Sequence, residues 1–231
     1  MRIILVRHSF ADYEQAFKSA ALTKEGVRLA ETTAEELAEM TVRQHVQIVS
    51  SPAKRALATA ERFCEAISFP AECIHIESQL ADTMVHDTEG RAEFFKKSLE
   101  ELGLRDLHEL DGRYLAGDPR FDEHPELFEP RNVVANRVFG WLGQRVQEVY
   151  DRAKNDFLVA VTHAEVMNLL LAGFEVKEQV RQCEMLDLRL ERGKSPGCVT
   201  IAVAFRGERR EMEFQVPARS FGQQFGPWWR D

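Results

Sequence analysis

Two short apolar runs, far apart in the chain, each reach a histidine two residues after they end. Ile3–Val6 is followed by His8 at that offset, and Phe157–Val161 is followed in the same way by His163. Runs of this length that are apolar throughout are typical of strands buried on both faces of a parallel sheet. Both histidines are therefore predicted just beyond the carboxyl ends of buried strands.

Stretches with helical spacing alternate with these strands and with two further apolar runs, Val46–Val49 and Ile74–Ile76. The predicted helices cover residues 23–40, with Thr23 as N-cap, and residues 54–67, 92–102, 133–153 and 165–171. Near the end, residues 199–205 and 211–216 flank Arg-Gly-Glu-Arg-Arg, which predicts an antiparallel hairpin. This order predicts an α/β fold, a three-layer α/β/α sandwich with a mostly parallel central sheet and an antiparallel C-terminal hairpin.

Apolar periodicity is lost between residues 105 and 131, where Gly, Pro and Asp accumulate. Irregular segments of that length in a compact domain are usually lids or binding loops. We predict a single domain over residues 1–231, in which residues 83–132 form an inserted lid that decides the substrate. Arg113, Tyr114 and Arg131 in this lid are candidate substrate contacts. The aromatic tail with Trp228 and Trp229 either folds back over the domain or joins a homodimer contact.

Composition limits the partners and the compartment. The net charge of −8 predicts that neither nucleic acid nor an anionic membrane is a partner. The four cysteines have neither CxxC nor metal-ligand spacing, so reduced thiols in a cytoplasmic protein are expected. The apolar run before Arg7 is too short for a signal-peptide core or a membrane span.

Four side chains are predicted to surround one anion. Arg7 and His8 follow the first strand, His163 follows a later one, and Arg55 lies in the first turn of the helix after Val46–Val49. Ligands of open α/β sheets bind beyond the carboxyl ends of the strands, where helix N-termini also favour anions. Each residue alone is more often structural, but two arginines and two histidines together suit a dianionic phosphoryl group.

Four motifs also resemble those of one family, the histidine phosphatase (phosphoglycerate mutase-like) superfamily. VRHSFAD at residues 6–12 resembles its RHG signature, and LTKEG at residues 22–26 resembles its LTxxG motif. Its SSPxxRAxxTA segment is resembled by SSPAKRALATAE at residues 50–61, and its SHG motif by VTHAEVMNLLL at residues 161–171. The order and spacing agree from residue 2 to about the predicted hairpin.

The resemblance implies a role for each matched residue. His8 would attack phosphorus in line and carry the phosphoryl group as a covalent intermediate. Arg7, Arg55 and His163 would hold the equatorial oxygens in the transition state. No metal and no cofactor is implied, because guanidinium and imidazolium groups supply the positive charge.

The proton donor is less closely matched. Family members often carry a glutamate in an LxE motif, and here Asp82 follows Leu80 at that spacing. A general acid is needed when the leaving group is a poor one, such as an alkoxide. Asp82 is the first candidate for this role, Glu89 and Asp87 are the alternatives, and a turn-capping carboxylate is the structural interpretation of Asp82.

Three departures from the family pattern affect the predicted reaction. Ser9 replaces the usual glycine, so it would be strained at a positive φ, or its hydroxyl would contact substrate. Glu14 replaces an asparagine of mutase-like members and would repel a second phosphate or carboxylate, and His86 replaces a glycine. A phosphatase is therefore favoured, acting on a small phosphomonoester or a phosphorylated protein. A mutase and a non-catalytic phosphate-binding module are the alternatives.

Overall fold

The strands of the molecule form one mixed sheet. The computed structural model describes residues 1–11, 22–42, 44–83, 88–104, 107–152, 156–176 and 178–216. Within these ranges seven strands pair in the order β3-β2-β4-β1-β5-β6-β7. They are β1 (Arg2–Arg7), β2 (Val46–Ser50), β3 (His75–Ile76), β4 (Phe157–Thr162), β5 (Met185–Arg192), β6 (Cys198–Phe205) and β7 (Glu208–Gln215).

Helices connect the strands, and two 3-10 turns (Ala71–Cys73 and Ser78–Leu80) flank β3. The helices are α1 (Lys24–Thr41), α2 (Lys54–Ile67), α3 (Thr88–Leu102), α4 (Leu107–Leu115), α5 (Pro119–Asp122), α6 (Arg131–Arg152) and α7 (Ala164–Gly173). Thr23 caps α1 as predicted, because its side chain accepts a hydrogen bond from the Gly26 N–H at 3.0 Å. None of the described helices has the length and apolar character needed to cross a membrane.

The parallel half of the sheet sets the position of both histidines. β1 pairs in parallel with β4, and in this register Arg7 lies opposite Thr162. The residues that follow, His8 and His163, therefore emerge side by side at one edge of the sheet. β2 pairs in parallel with the other side of β4, so its carboxyl end reaches the same edge.

The other half of the sheet is antiparallel. β6 and β7 form the predicted hairpin, closed by the turn at Arg206 and Gly207. β5 was absent from the sequence prediction, and it joins the hairpin to β1 by antiparallel pairing on both sides. The mixed sheet with its parallel core and antiparallel C-terminal strands confirms the predicted fold class.

Alternation along β1 divides the core between the two faces of the sheet. Ile3 and Leu5 pack with α6 and α7 in one cluster, whereas Ile4 and Val6 pack with α1 and α2 in another. Successive side chains of a strand point to opposite faces, so helices cover the sheet on both sides. The three-layer arrangement follows directly from this division.

The segment between residues 105 and 131 is more regular than its sequence predicted. It contains α4 and the short α5, which begins because the Asp118 side chain accepts from the Arg120 N–H and Pro119 occupies the first turn. Apolar side chains of this region form a third cluster: Leu110, Tyr114, Phe121, Leu127 and Phe128, with Phe94 and Phe95 packed against them. The lid role of residues 83–132 stays a prediction.

Gly26 permits a close approach of the chain after β1, because a Cβ there would lie 2.1 Å from the Phe10 carbonyl oxygen. Alanine is ordinarily preferred to glycine inside a helix by about 1 kcal/mol. We nevertheless expect Gly26→Ala to lower the free energy of unfolding by about 1–3 kcal/mol, because the backbone must shift.

The matched control is Gly140→Ala in α6, where an added Cβ meets nothing within 4 Å. This variant should raise the free energy of unfolding by about 0.5–1 kcal/mol in urea titrations. Equal stabilisation by both alanines would contradict the packing assigned to Gly26.

Candidate active site

The two predicted histidines meet at the parallel edge of the sheet. Their ring centroids lie 5.1 Å apart with an interplanar angle of 62°. His8 is 3% exposed and His163 is 1% exposed, so both rings are nearly excluded from solvent. This separation is short enough for both rings to contact one phosphoryl group.

Arg55 connects the histidines to Asp82. Its Nε donates to His8 Nε2 at 3.0 Å, and its Nη2 lies 3.2 Å from His163 Nδ1. The same Nη2 donates to Asp82 Oδ2 in a short ion pair. This position results from the chain path, because β2 ends at the sheet edge and α2 begins four residues later with Arg55 in its first turn.

The hydrogen bonds of His8 define which nitrogen can react. Its Nδ1 lies 2.7 Å from the Ser9 carbonyl oxygen, which only accepts, so the ring proton is assigned to Nδ1. Nε2 then carries the lone pair and faces Arg55. Burial lowers the pKa of His8 well below 6.5, and the charges of Arg55, His163 and Arg7 lower it further. A neutral imidazole with Nε2 directed into the site is the form that a nucleophile requires.

His163 is held from its other side. Its Nε2 lies 2.7 Å from Ser51 Oγ, and that hydroxyl also accepts from the Ala53 N–H at 3.2 Å. An arginine N–H can only donate, so Nδ1 accepts from Arg55 and the proton on Nε2 is donated to Ser51. The sequence motifs do not single out Ser51 as a site residue, although it lies within the segment at residues 50–61 that resembles the family motif.

Arg7 is a buried cation, and its Nε has no hydrogen-bond partner among the described residues. It is 6% exposed, and its Nη1 donates to the Val180 carbonyl at 2.7 Å. A buried guanidinium is stable only with hydrogen-bond and charge partners, so this one favours a bound anion.

Ser9 forms two hydrogen bonds that connect the end of β1 to α1 and α2. The residue is fully buried, its hydroxyl donates to the Gly26 carbonyl at 2.7 Å and its N–H donates to Thr59 Oγ1 at 3.1 Å. Ser9 is not among the residues with positive φ, so its replacement of glycine causes no backbone strain. Its hydroxyl proton is directed to Gly26, and the contact of Ser9 with substrate stays a prediction.

Asp82 is the predicted proton donor that the structure places beside the histidines. Its Oδ2 lies 3.9 Å from His163 Nδ1 and bonds to Arg55. The competing candidate Asp87 lies outside the described residues, as do Glu14, His86 and the tryptophan tail, and the Glu89 side chain is likewise not described. Of the three predicted donors, Asp82 is the one whose carboxylate lies within the described part of the chain.

The two predicted lid arginines, Arg113 in α4 and Arg131 at the start of α6, both extend their side chains to the turn between α4 and α5. Arg113 Nη1 is 3.5 Å from the Asp118 carboxylate, and the Arg131 guanidinium lies against Gly117, where a Cβ would be 2.8 Å from its Nη1. Arg120 shares Asp118 with Arg113. The substrate-binding roles of Arg113 and Arg131 stay predictions, since the contacts just given are to this turn and not to the histidines.

The arrangement offers two guanidiniums, a neutral nucleophile and a carboxylate around one small space. Arginine donors match the oxygens of a phosphoryl group, and a low-dielectric surrounding strengthens their attraction. Within the described residues, no cluster of three His, Cys, Asp or Glu side chains could hold a metal ion. These groups are suited to binding a phosphoryl group beside a neutral imidazole.

Comparison with known proteins identifies the family and the fold of the chain. Residues 3–190 match the family described as the histidine phosphatase superfamily (branch 1). No curated protein matches the chain.

Solved structures with this fold include a mycobacterial glucosyl-3-phosphoglycerate phosphatase with inorganic phosphate, at 19% identity and TM-score 0.59, covering 90% of this chain and 97% of that chain. Phosphoglycerate mutase from Bacillus anthracis has 15% identity and TM-score 0.57, covering 97% and 96%. A phosphoserine phosphatase from Entamoeba histolytica, in complex with phosphoserine, has 18% identity and TM-score 0.53, covering 93% and 96%. At such identities these structures are evidence for the fold alone.

The lowered pKa of His8 predicts how stability depends on pH. Between the folded-state pKa and the ordinary value of 6.5, the unfolded chain binds a proton that the folded chain does not. The free energy of unfolding therefore rises with pH in this window and levels off above it. Below pH 6.5 we expect wild type to lose up to about 1.4 kcal/mol per pH unit relative to His8→Gln.

Urea titrations of both proteins at several pH values on either side of 6.5 measure this difference. Because both proteins contain the other histidines and the carboxyl groups, subtracting one stability curve from the other removes the contributions of these groups. Parallel curves for the two proteins would show that His8 is not held neutral by the fold.

Proposed function

Because the chain belongs to the histidine phosphatase superfamily (branch 1), we propose that it hydrolyses phosphomonoesters through a phosphohistidine formed on His8. The single observation that carries this proposal is the neutral His8 ring, whose Nε2 faces Arg55 3.0 Å away while His163 lies alongside. A substrate phosphoryl group that enters between these residues would displace the Arg55–His8 contact and take its donors.

The first chemical step would transfer the phosphoryl group. The Nε2 lone pair of His8 attacks phosphorus, the N–P bond forms and the ester P–O bond breaks. The Ser9 carbonyl accepts from Nδ1–H and stabilises the positive charge that develops on the ring. Arg7 and Arg55 hold the equatorial oxygens as negative charge spreads onto them. His163 joins them after Arg55 turns to the phosphoryl group, because its freed Nδ1 then takes up a proton and donates to an oxygen.

Asp82 would supply the proton that the leaving oxygen needs. The phosphoryl oxygens compete with Asp82 for Arg55, so substrate binding releases the carboxylate from its ion pair. The released carboxylate, next to the negatively charged phosphoryl group, takes up a proton from solvent and then passes it to the leaving oxygen. In the second step a water molecule attacks the phosphohistidine, Asp82 accepts its proton, and phosphate leaves while His8 is regenerated. The reaction needs no metal, because the arginines provide the positive charge.

The substrate in this proposal is a small phosphomonoester or a phosphorylated protein side chain. Neither nucleic acid nor a membrane is included as a partner, in keeping with the net charge of −8. All four cysteines are free thiols, which suits a cytoplasmic location. Measurement of the molecular mass in solution decides whether the chain forms a homodimer.

His8→Ala removes the nucleophile, so we expect turnover of a phosphomonoester to fall by at least about 10³-fold while the fold is retained. Rapid acid-free quenching of wild type with labelled substrate should trap a base-stable, acid-labile phosphoenzyme. His45→Ala is the matched control, because this histidine is 78% exposed and lies at the start of β2 away from the site.

Retention of more than about a tenth of the activity in His8→Ala would contradict the covalent mechanism. Activity should also survive EDTA. Absence of turnover with every phosphomonoester would favour the non-catalytic phosphate-binding module, and transfer of phosphate within the substrate would favour the mutase.

Asp82→Asn tests the proton donor through its dependence on the leaving group. An alkoxide leaves poorly without a proton, so the variant should lose about 10²–10⁴-fold with an alkyl phosphate. A nitrophenolate leaves without help, so the loss with nitrophenyl phosphate should be much smaller. The measurement is kcat/KM for both substrates.

Asp187→Asn is the control, since Asp187 is 18% exposed against 19% for Asp82 and also pairs with an arginine, Arg2, but lies within β5. An equal loss on both substrates in Asp82→Asn would assign Asp82 to structure or binding and move the donor role to Glu89.

A further inference from the structure

The backbone segment that carries Asp82 is held by side chains of other elements. Arg137 of α6 donates from Nη1 to the carbonyls of Gln79 and Ala81, at 2.8 Å each, and to that of Ser78 at 3.4 Å. Its Nη2 donates to the Asp82 carbonyl at 3.1 Å. One guanidinium thus contacts four of the five carbonyls between residues 78 and 82.

The remaining carbonyl of the segment has a different donor. Thr162 Oγ1 donates to the Leu80 carbonyl at 2.7 Å, and Thr162 directly precedes His163 in the chain. The Asp82 segment is therefore attached to the strand that carries one histidine and to the helix that covers the sheet. Polar groups of a short 3-10 turn have few partners of their own, so these donors determine its position.

Arg137 also reaches the residues predicted to form the lid. Its Nη2 forms an ion pair with Glu129 at 2.7 Å, and the two side chains are 12% and 13% exposed. The Glu129 carbonyl accepts from the Tyr114 hydroxyl at 2.9 Å, which links it to the cluster around α4 and α5. A single, partly buried cation therefore joins the Asp82 segment to Glu129, within residues 83–132.

We propose that Arg137 is a positioning residue that holds the Asp82 carboxyl group at the leaving-group side of His8, with its own guanidinium fixed by Glu129. This inference rests on the proposed role of Asp82 as proton donor. A general acid works only within hydrogen-bond reach of the atom it protonates, and a displacement of about 1 Å costs on the order of 10²-fold in rate.

Arg137→Met tests the proposal with Arg145→Met as its matched control. Arg145 lies two turns further along α6 and is 15% exposed, but it binds the carboxylates of Glu77 and Glu148 and not the carbonyls of residues 78–82. Arg137→Lys, which keeps the charge and part of the hydrogen bonding, is the conservative variant.

We expect Arg137→Met to lower kcat/KM for an alkyl phosphate by about 10- to 10²-fold, and that for nitrophenyl phosphate by less than about threefold. Arg145→Met should change both values in parallel, and Arg137→Lys should recover part of the loss. In an Asp82→Asn background, Arg137→Met should add almost nothing with the alkyl phosphate, because the group that it positions is already gone.

Parallel losses on both substrates, or losses that multiply with that of Asp82→Asn, would overturn the proposal. Should Arg137→Met not fold, Arg137→Lys carries the same comparison with a smaller expected change. If Asp82→Asn itself shows no dependence on the leaving group, the proton-donor role fails. Amide hydrogen exchange over residues 78–83, which excludes the Arg145 partner Glu77, then decides the positioning: faster exchange in Arg137→Met than in Arg145→Met supports it, and equal exchange overturns it.

Discussion

The Arg55 guanidinium donates to His8 and to Asp82 and lies against His163, so the geometry of the candidate site depends on it. Its charge is the second-largest influence, after burial, that lowers the pKa of His8 and leaves Nε2 unprotonated. The same charge would bind the phosphoryl group once substrate enters. In the proposed mechanism this one side chain therefore prepares the nucleophile, binds the proton donor until substrate enters and provides the anion site.

The fold delivers this arrangement through strand register. Parallel pairing of β4 with both β1 and β2 brings three chain segments to a single edge, where His8, His163 and Arg55 can meet. β4 is buried along its whole length and pairs with a strand on each side. Ser51 and Thr162 then orient His163 and the Asp82 segment through hydroxyl groups. The relative positions of the site residues therefore follow from backbone pairing, and side-chain hydrogen bonds then fix their orientation.

Local sequence patterns predicted the parts of the molecule that depend on local chemistry. The buried strands, the Thr23 cap and the convergence of His8, Arg55 and His163 follow from apolar runs and from the offset of each residue beyond its strand. β5 was overlooked even though Met185–Arg192 alternates apolar and polar residues, which is the pattern of a strand with one polar face. The helices of the 105–131 segment were obscured by Gly, Pro and Asp residues, one of which caps α5. The hydrogen bonds from the Ser9 hydroxyl to the Gly26 carbonyl and from Arg137 to the carbonyls of residues 78–82 could not be predicted. They join residues remote in sequence, and every residue carries a carbonyl, so the partners have no distinguishing sequence pattern.

A crystal structure with vanadate tests the central claim, that the neutral Nε2 of His8 is the atom that receives the phosphoryl group. Vanadate adopts the five-coordinate geometry of the transition state for phosphoryl transfer. The account predicts vanadium bonded to His8 Nε2, with Arg7, Arg55 and His163 on its equatorial oxygens and the Asp82 carboxyl group at the apical oxygen opposite the histidine. Vanadate bound elsewhere, or bound between the arginines with its vanadium out of bonding reach of Nε2, would contradict it.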